Sequence, residues 1–129
     1  MTQEEKSLLL QDLSTRLPYG IKVQVEYDAE EFGKTIEIDE ITMIDKCGEE
    51  ILLYHASEYF SIEEIKPYLR PRSSMTEEEE RDWWTYKQVG TTWEAQDSLS
   101  VDWLNKHHFD YRGLIEKGLA LEASEGMYK

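Results

Sequence analysis

A single cysteine, Cys47, excludes an internal disulfide in this 129-residue chain. It stands in Asp45-Lys-Cys-Gly-Glu49, which reads as a turn, and no histidine lies near it in sequence to activate the thiol. The seven glycines form no phosphate-cradling loop, and no serine sits in a Gly-x-Ser-x-Gly elbow, so the familiar signatures of nucleotide binding and acyl transfer are missing. No apolar run reaches the length of a signal peptide or a membrane span, which predicts a cytoplasmic protein without membrane attachment. Basic residues are also scarce: 14 Lys and Arg face 28 Asp and Glu, for a net charge of −14. Nucleic-acid affinity comes largely from cations that displace counterions, so direct binding to DNA or RNA is disfavoured. An acidic surface fits a basic protein partner, or a protein that mimics nucleic acid in order to occupy one.

What is present is enough for a folded domain. Hydrophobic residues make up 40% of the chain and aromatic ones 12%, too apolar for disorder despite 33% charged residues. At this length folding buries roughly two-thirds of the unfolded surface, so one core is feasible.

Thr2-Gln-Glu-Glu5 is a capping box, and Leu9, Leu13 and Leu17 follow at four-residue spacing with Leu10 beside them. They predict an amphipathic helix that stops at Leu17-Pro-Tyr-Gly20. Ile21, Val23, Val25 and Tyr27 then alternate with Lys22, Gln24 and Glu26, the pattern of a half-buried strand. In a second strand over 35–45 the apolar phase slips between Ile36/Ile38 and Ile41/Met43, and a bulge near Asp39 would restore it. After a turn at Cys47-Gly48, residues 51–55 read as a third strand. A helical turn capped by Ser61 leads into an extended 66–70.

This order predicts an α+β fold. An N-terminal helix packs on a small, bent antiparallel SH3-like or Sm-like barrel over residues 1–72. A small α+β sandwich of the same elements is the alternative. After a hinge at 71–74, residues 73–129 form a helical extension that packs on the barrel or on a partner. Its first helix starts at the capping box Thr76-Glu-Glu-Glu79, carries Trp83, Trp84 and Tyr86, and stops near Val89-Gly90. Residues 91–97 read as irregular with Trp93 filling a gap, Ser100 caps another helix, and Asp110 caps a last short one that Gly118 ends.

The stretch from Ser100 to Leu119 concentrates aromatic, ionisable and glycine residues. His107, His108 and Asp110 bring imidazoles beside a carboxylate, a combination that suits a metal or acid–base chemistry. Adjacent helical positions diverge, however, whereas paired ligands need a spacing of three or four. Packing or capping is therefore the plainer role for both histidines. No cofactor or metal is expected. Asp110, Tyr111 and Arg112 can form an exposed polar cluster of a composition common in protein-contact hot spots; the alternative, and the plainer role, is that Asp110 caps a helix while Arg112 pairs with one of the many local acids.

Lys66-Pro-Tyr-Leu-Arg-Pro71, Ser73-Ser-Met-Thr-Glu77 and His107 to Ala120, together with Leu9 to Tyr27, resemble a group of small proteins from gut bacteria and their prophages or mobile elements. Leu17-Pro-Tyr-Gly20 and Asp110-Tyr-Arg-Gly-Leu-Ile115 carry the likeness most closely. The resemblance implies a bacterial cytoplasmic setting and attaches no activity to any residue. Three functions follow as expectations. The first is a non-enzymatic protein–protein interaction module contacting its partner through Trp84, His107, Tyr111 and Arg112. The others are an acidic nucleic-acid mimic that inhibits a DNA-binding protein and a small metal-dependent enzyme using His107, His108 and Asp110.

Overall fold

A computed structural model describes residues 1–31, 33–45, 47, 49–89 and 93–128, without the side chains at 89 and 93–97. Helix α1 spans Gln3–Arg16, and its capping box forms as the sequence requires: the Glu5 N–H donates to the Thr2 hydroxyl at 3.1 Å and the Thr2 N–H to the Glu5 carboxylate at 2.9 Å. Leu9, Leu10 and Leu13 form its buried stripe. Pro18 fits the 3-10 turn Leu17–Tyr19 that follows. Gly20 then reverses the chain at φ 73°, a left-handed conformation that glycine adopts without steric cost.

Strands β1 (Lys22–Ala29), β2 (Gly33–Asp45), β3 (Glu50–Leu53), β4 (Tyr59–Ser61), β5 (Ile65–Leu69) and β6 (Leu121–Glu122) form one sheet in the order β4-β3-β2-β1-β5-β6. Neighbours pair antiparallel except β5 and β6, which run parallel. Ile21, Val23 and Val25 are fully buried, as their alternation predicts. They meet Ile51, Leu53, Ile65 and Leu69 from the sheet, Ile62 from the 3-10 turn before β5, the leucines of α1, and Leu114, Leu119 and Ala120 from the end of the chain. The C-terminal segment therefore packs in cis.

The sheet is open, with β4 and β6 at its edges, and mixed where a wholly antiparallel one was expected. β5 uses its second edge on β6, where Tyr68 faces Leu121 and Leu69 faces Glu122, so no strand remains to close the sheet. The bulge in β2 also lies later than expected. Register shifts between Ile41 and Met43, so Thr42 is the extra residue. In consequence Ile41 is buried and Ile44 packs against the core, whereas Ile36, Ile38 and Met43 face outward.

Helix α2 spans Glu77–Val89 and α3 spans Trp93–Lys106, and the two pack along each other. α3 begins earlier than expected and runs through both the stretch read as irregular and the expected cap, Ser100, which is buried. The gap-filling role of the Trp93 side chain and the turn glycines Gly48 and Gly90 lie outside the described residues. The last short helix is absent: 114–118 is a run of turns. Gly113 and Gly118 flank it with positive φ, and the chain continues into β6, which the sequence reading missed.

Asp39 of β2 is 4% exposed. Its carboxylate accepts the backbone N–H groups of Glu40 at 2.7 Å, His55 at 2.9 Å and Ala56 at 3.0 Å, joining β2 to the turn after β3. Burial alone would raise its pKa, but the three N–H donors outweigh burial and hold it below the usual carboxylate value. Replacing Asp39 with Ala leaves these donors without their acceptor and should cost about 2–3 kcal/mol in urea denaturation. Because the folded-state pKa is depressed, this contribution is present above the ordinary carboxyl pKa and is lost as the pH falls through the folded value. Asp39→Asn should remove that part of the acid dependence.

Candidate functional site

The adjacent histidines terminate α3. The His108 N–H donates to the Asn105 carbonyl at 3.1 Å and the Phe109 N–H to the Leu104 carbonyl at 2.9 Å, the two reversed hydrogen bonds of a Schellman ending. Leu104 and Phe109 make its hydrophobic contact within a small cluster that includes Trp103. His108 occupies the left-handed position at φ 61°, usually a glycine. The termination sends the rings to different partners. His107 lies against Trp103 with centroids 4.2 Å apart, while the buried His108 stacks on Tyr128 at 3.9 Å.

The same turn carries the chain into the body. The Arg70 N–H donates to the His108 carbonyl and the Asp110 N–H to the Arg70 carbonyl, both at 2.8 Å. The Asp110 carboxylate accepts the N–H groups of Leu114 at 2.9 Å and Ile115 at 3.0 Å, which fulfils its expected capping role on a turn instead of a helix. Beside it lies a buried charge cluster. Asp12 and Arg16 are both 0% exposed, with the Arg16 Nε donating to the Asp12 carboxylate at 2.9 Å. Arg112 donates to the other carboxylate oxygen at 2.6 Å, and the Arg16 Nη2 donates to the Phe109 carbonyl at 2.6 Å. The Tyr111 ring meets both guanidinium groups, at 4.6 Å for Arg112 and 5.4 Å for Arg16, while its hydroxyl donates to Asn105 at 2.8 Å.

A cleft of about 640 Å³ opens between the root of α2, the end of β5 and residues 122–128. Its volume is that of a small-molecule or side-chain pocket. Arg70 and Glu79 cross it in a bidentate pair with both contacts at 2.7 Å, and the Arg70 guanidinium lies 4.2 Å from the centre of the Phe109 ring. Hydrogen bonding from Arg70 is the main cause that holds the Glu79 carboxyl down at about 2. His107 also lines the cleft, and burial lowers its pKa, favouring the neutral imidazole. Tyr128 closes the far side: its hydroxyl donates to the Tyr68 carbonyl at 2.6 Å and accepts the Lys22 N–H at 3.1 Å.

Helix α2 differs from α1 and α3 in that none of its described residues is buried, although it carries three aromatic residues. Trp83 faces the body, packing with Met75 near Trp103 and lying under Arg72 and Lys87. Trp84, one helical step on, is 48% exposed, and Tyr86, Leu99 and Val101 are exposed as well. Asp82 anchors the helix by accepting the Trp103 indole N–H at 2.8 Å.

The four residues expected to contact a partner thus occupy different settings. Trp84 is on the surface of α2, His107 lines the cleft, and Tyr111 and Arg112 are half-buried with their polar groups engaged by Asn105 and Asp12. His107, His108 and Asp110 do not converge on a common point. Among the described residues no group of three His, Cys, Asp or Glu side chains is placed to hold a metal ion. Also among the described residues, no helix is long and apolar enough to cross a membrane. The reading missed Asp12 and Arg16 as a buried pair; their spacing of four in a leucine-rich helix was the available signal. Comparison with family models, curated proteins and solved structures gives no match.

Two stability predictions follow from this site. Asp12→Ala leaves Arg16 and Arg112 without their counter-charge and should destabilise the fold by about 3–5 kcal/mol in chemical denaturation. His108 is held at about 4, first by burial and then by the Arg16 charge, against an ordinary value of 6.5. Between these values the unfolded chain binds a proton that the folded protein refuses, so stability rises with pH across this window. The contribution lost on acidification to about pH 4 is on the order of 3 kcal/mol. His107 acts in the same direction. His108→Asn, whose side chain tolerates the left-handed backbone, should flatten most of this slope in denaturation curves at successive pH values.

Proposed function

We propose that the chain is a non-enzymatic protein–protein interaction module of a bacterial, cytoplasmic system of the kind found on prophages and mobile elements, with its contact surface on the α2–α3 pair. The observation that carries this reading is the state of α2. A helix with three aromatic residues and no buried described residue packs only in part on its own chain, through Trp83 and its side along α3, whereas helices in folded proteins are stabilised chiefly by packing an apolar face. Positions two apart on a helix point away from each other, so a partner that covers Trp84 on α2 together with Leu99 or Val101 on α3 supplies the missing packing, and aromatic anchors dominate such contacts. The cleft at the root of α2, with His107 on its wall, receives a side chain of that partner. Tyr111 and Arg112 contribute by fixing the segment that presents the cleft.

We read the sheet as a small-barrel scaffold of the SH3-like or Sm-like kind whose far edge is diverted to β6. Supporting this are the strand order β4-β3-β2-β1-β5, the long bent β2 shared by both halves, and the 3-10 turn Ile62–Glu64 leading into β5.

The test is mass spectrometry of what the chain retains from its host cells at low and high salt, repeated with Trp84→Ala combined with Tyr86→Ala. One polypeptide held through high salt and lost from the double variant, with the melting temperature shifted by less than about 2 °C, is the expected result. Retention unchanged by the double variant, or no polypeptide retained under either condition, would overturn the assignment. Changing Tyr111 and Arg112 together should instead lower the melting temperature, reflecting their internal contacts.

A further inference from the structure

The outer face of the sheet is the molecule's second uncovered apolar surface. Residues directly opposite each other in paired strands project to the same side, so the register defines this face. Ile36 lies opposite Glu26, Ile38 opposite Gln24, and Met43 opposite Leu52, which is itself opposite Tyr59. Ile36 is 58% and Ile38 57% exposed, and Met43 and Tyr59 are each half exposed. The Tyr59 hydroxyl reaches the Met43 sulfur at 3.6 Å, tying β4 to β2 across this surface. The bulge at Thr42 creates the patch: it turns Met43 outward, onto the side that Ile36 and Ile38 already occupy. A sheet with an apolar face normally buries it under another layer. Here α1 and the C-terminal segment cover the opposite face, where the core lies.

We propose that this face docks a basic amphipathic helix from another protein. The choice of occupant rests on charge and on the state of the sheet edge. By register Glu26, Asp28, Glu40, Asp45 and Glu50 lie on the same side as the isoleucines and Met43, together with Lys22, Lys34 and Lys66, so the border of the apolar residues is acidic on balance. Lys34 pairs with Glu26, and Lys22 keeps its charge while donating to the Met127 carbonyl at 2.7 Å, so Glu40 and Glu50 are the acids offered to an incoming cation. A second copy of the chain would bring another net −14 onto this surface, and a nucleic acid would bring phosphates. An added strand is poorly served, because β4 has three residues and the Ser61 N–H is taken by the Glu64 carboxylate at 3.0 Å. A helix lying across the strands needs no free edge. Its lysines and arginines meet the glutamates while its apolar stripe covers the isoleucines and Met43. The surface is independent of Trp84, so a protein that binds through both would bridge two partners.

The experiment is a methyl- and amide-detected NMR titration of the full chain with a synthetic amphipathic helix built from leucine and lysine, alongside the same pattern built from leucine and glutamate. Saturable shifts at Ile36, Ile38 and Met43 with the lysine helix, weakened by added salt and absent with the glutamate helix, are the expected result. Ile36→Ser combined with Ile38→Ser should lower the affinity at least about tenfold, with the melting temperature retained. Should that variant fold poorly, Glu40→Gln with Glu50→Gln tests the charge term separately and should weaken binding and its salt dependence. Equal binding of both helices, shifts confined to α2 and α3, or sedimentation showing a dimer that protects the isoleucines without any peptide would each overturn the proposal.

Discussion

The fold depends on one carboxylate placed between two guanidinium groups. Asp12 lies fully inside the protein, held by Arg16 from its own helix and by Arg112 from the far end of the chain. Buried ions of this sort add little net stability compared with apolar packing, since desolvation offsets most of their attraction. Their effect is on uniqueness. A leucine stripe can slide against a sheet at modest cost, but the Asp12 carboxylate and the Arg16 Nε and Nη2 find their partners only when the Phe109 carbonyl, the Tyr111 ring and Arg112 arrive in one arrangement. That single arrangement fixes α1, the end of α3 and the turn after it. With them it fixes the wall of the cleft and the direction in which α2 leaves the body.

The two uncovered surfaces arise from different local causes. On α2 the cause is geometry, because adjacent tryptophans point about 100° apart and one helix face holds only one of them. Trp83 takes the inner position and Trp84 the outer. On the sheet the cause is a single extra residue, Thr42, which decides which apolar side chains of β2 enter the core. Neither surface faces the core, so substitutions at them test contact with little effect on stability.

Much of this architecture was legible in local chemistry. The capping boxes at Thr2 and Ser61, the stop at Leu17-Pro-Tyr-Gly20 and the alternation from Ile21 to Tyr27 all act within a few residues and appear as the sequence implies, whereas Asp110 holds a turn where a short helix was expected. What escaped was set by distant parts of the chain. The slip in β2 announced a bulge, but only pairing with β3 decides that Thr42 is extra and that Ile36 and Ile38 face outward. β6 has two residues and exists because β5 offers it an edge. The candidate site was partly visible in the same way. Trp84 and His107 stood out by composition, whereas the partnership of Asp12 with Arg112 spans 100 residues and leaves no local trace.

Tyr128 gives the strand at the centre of the sheet a late dependency. Its hydroxyl satisfies backbone groups of Lys22 and Tyr68, separated from it by 106 and 60 residues. Translation at 5–20 residues per second puts roughly 5–20 s between the emergence of Lys22 and that of Tyr128. Through that interval the β1–β2 hairpin can form, but its inner face of Ile21, Val23 and Val25 lacks the cover that the C-terminal segment provides. Long-range closures of this kind slow folding and prolong the exposure of apolar surface. The excess of glutamate and aspartate, distributed along the chain, therefore serves the nascent polypeptide as well, since like charge keeps incomplete chains apart until the sheet is closed over.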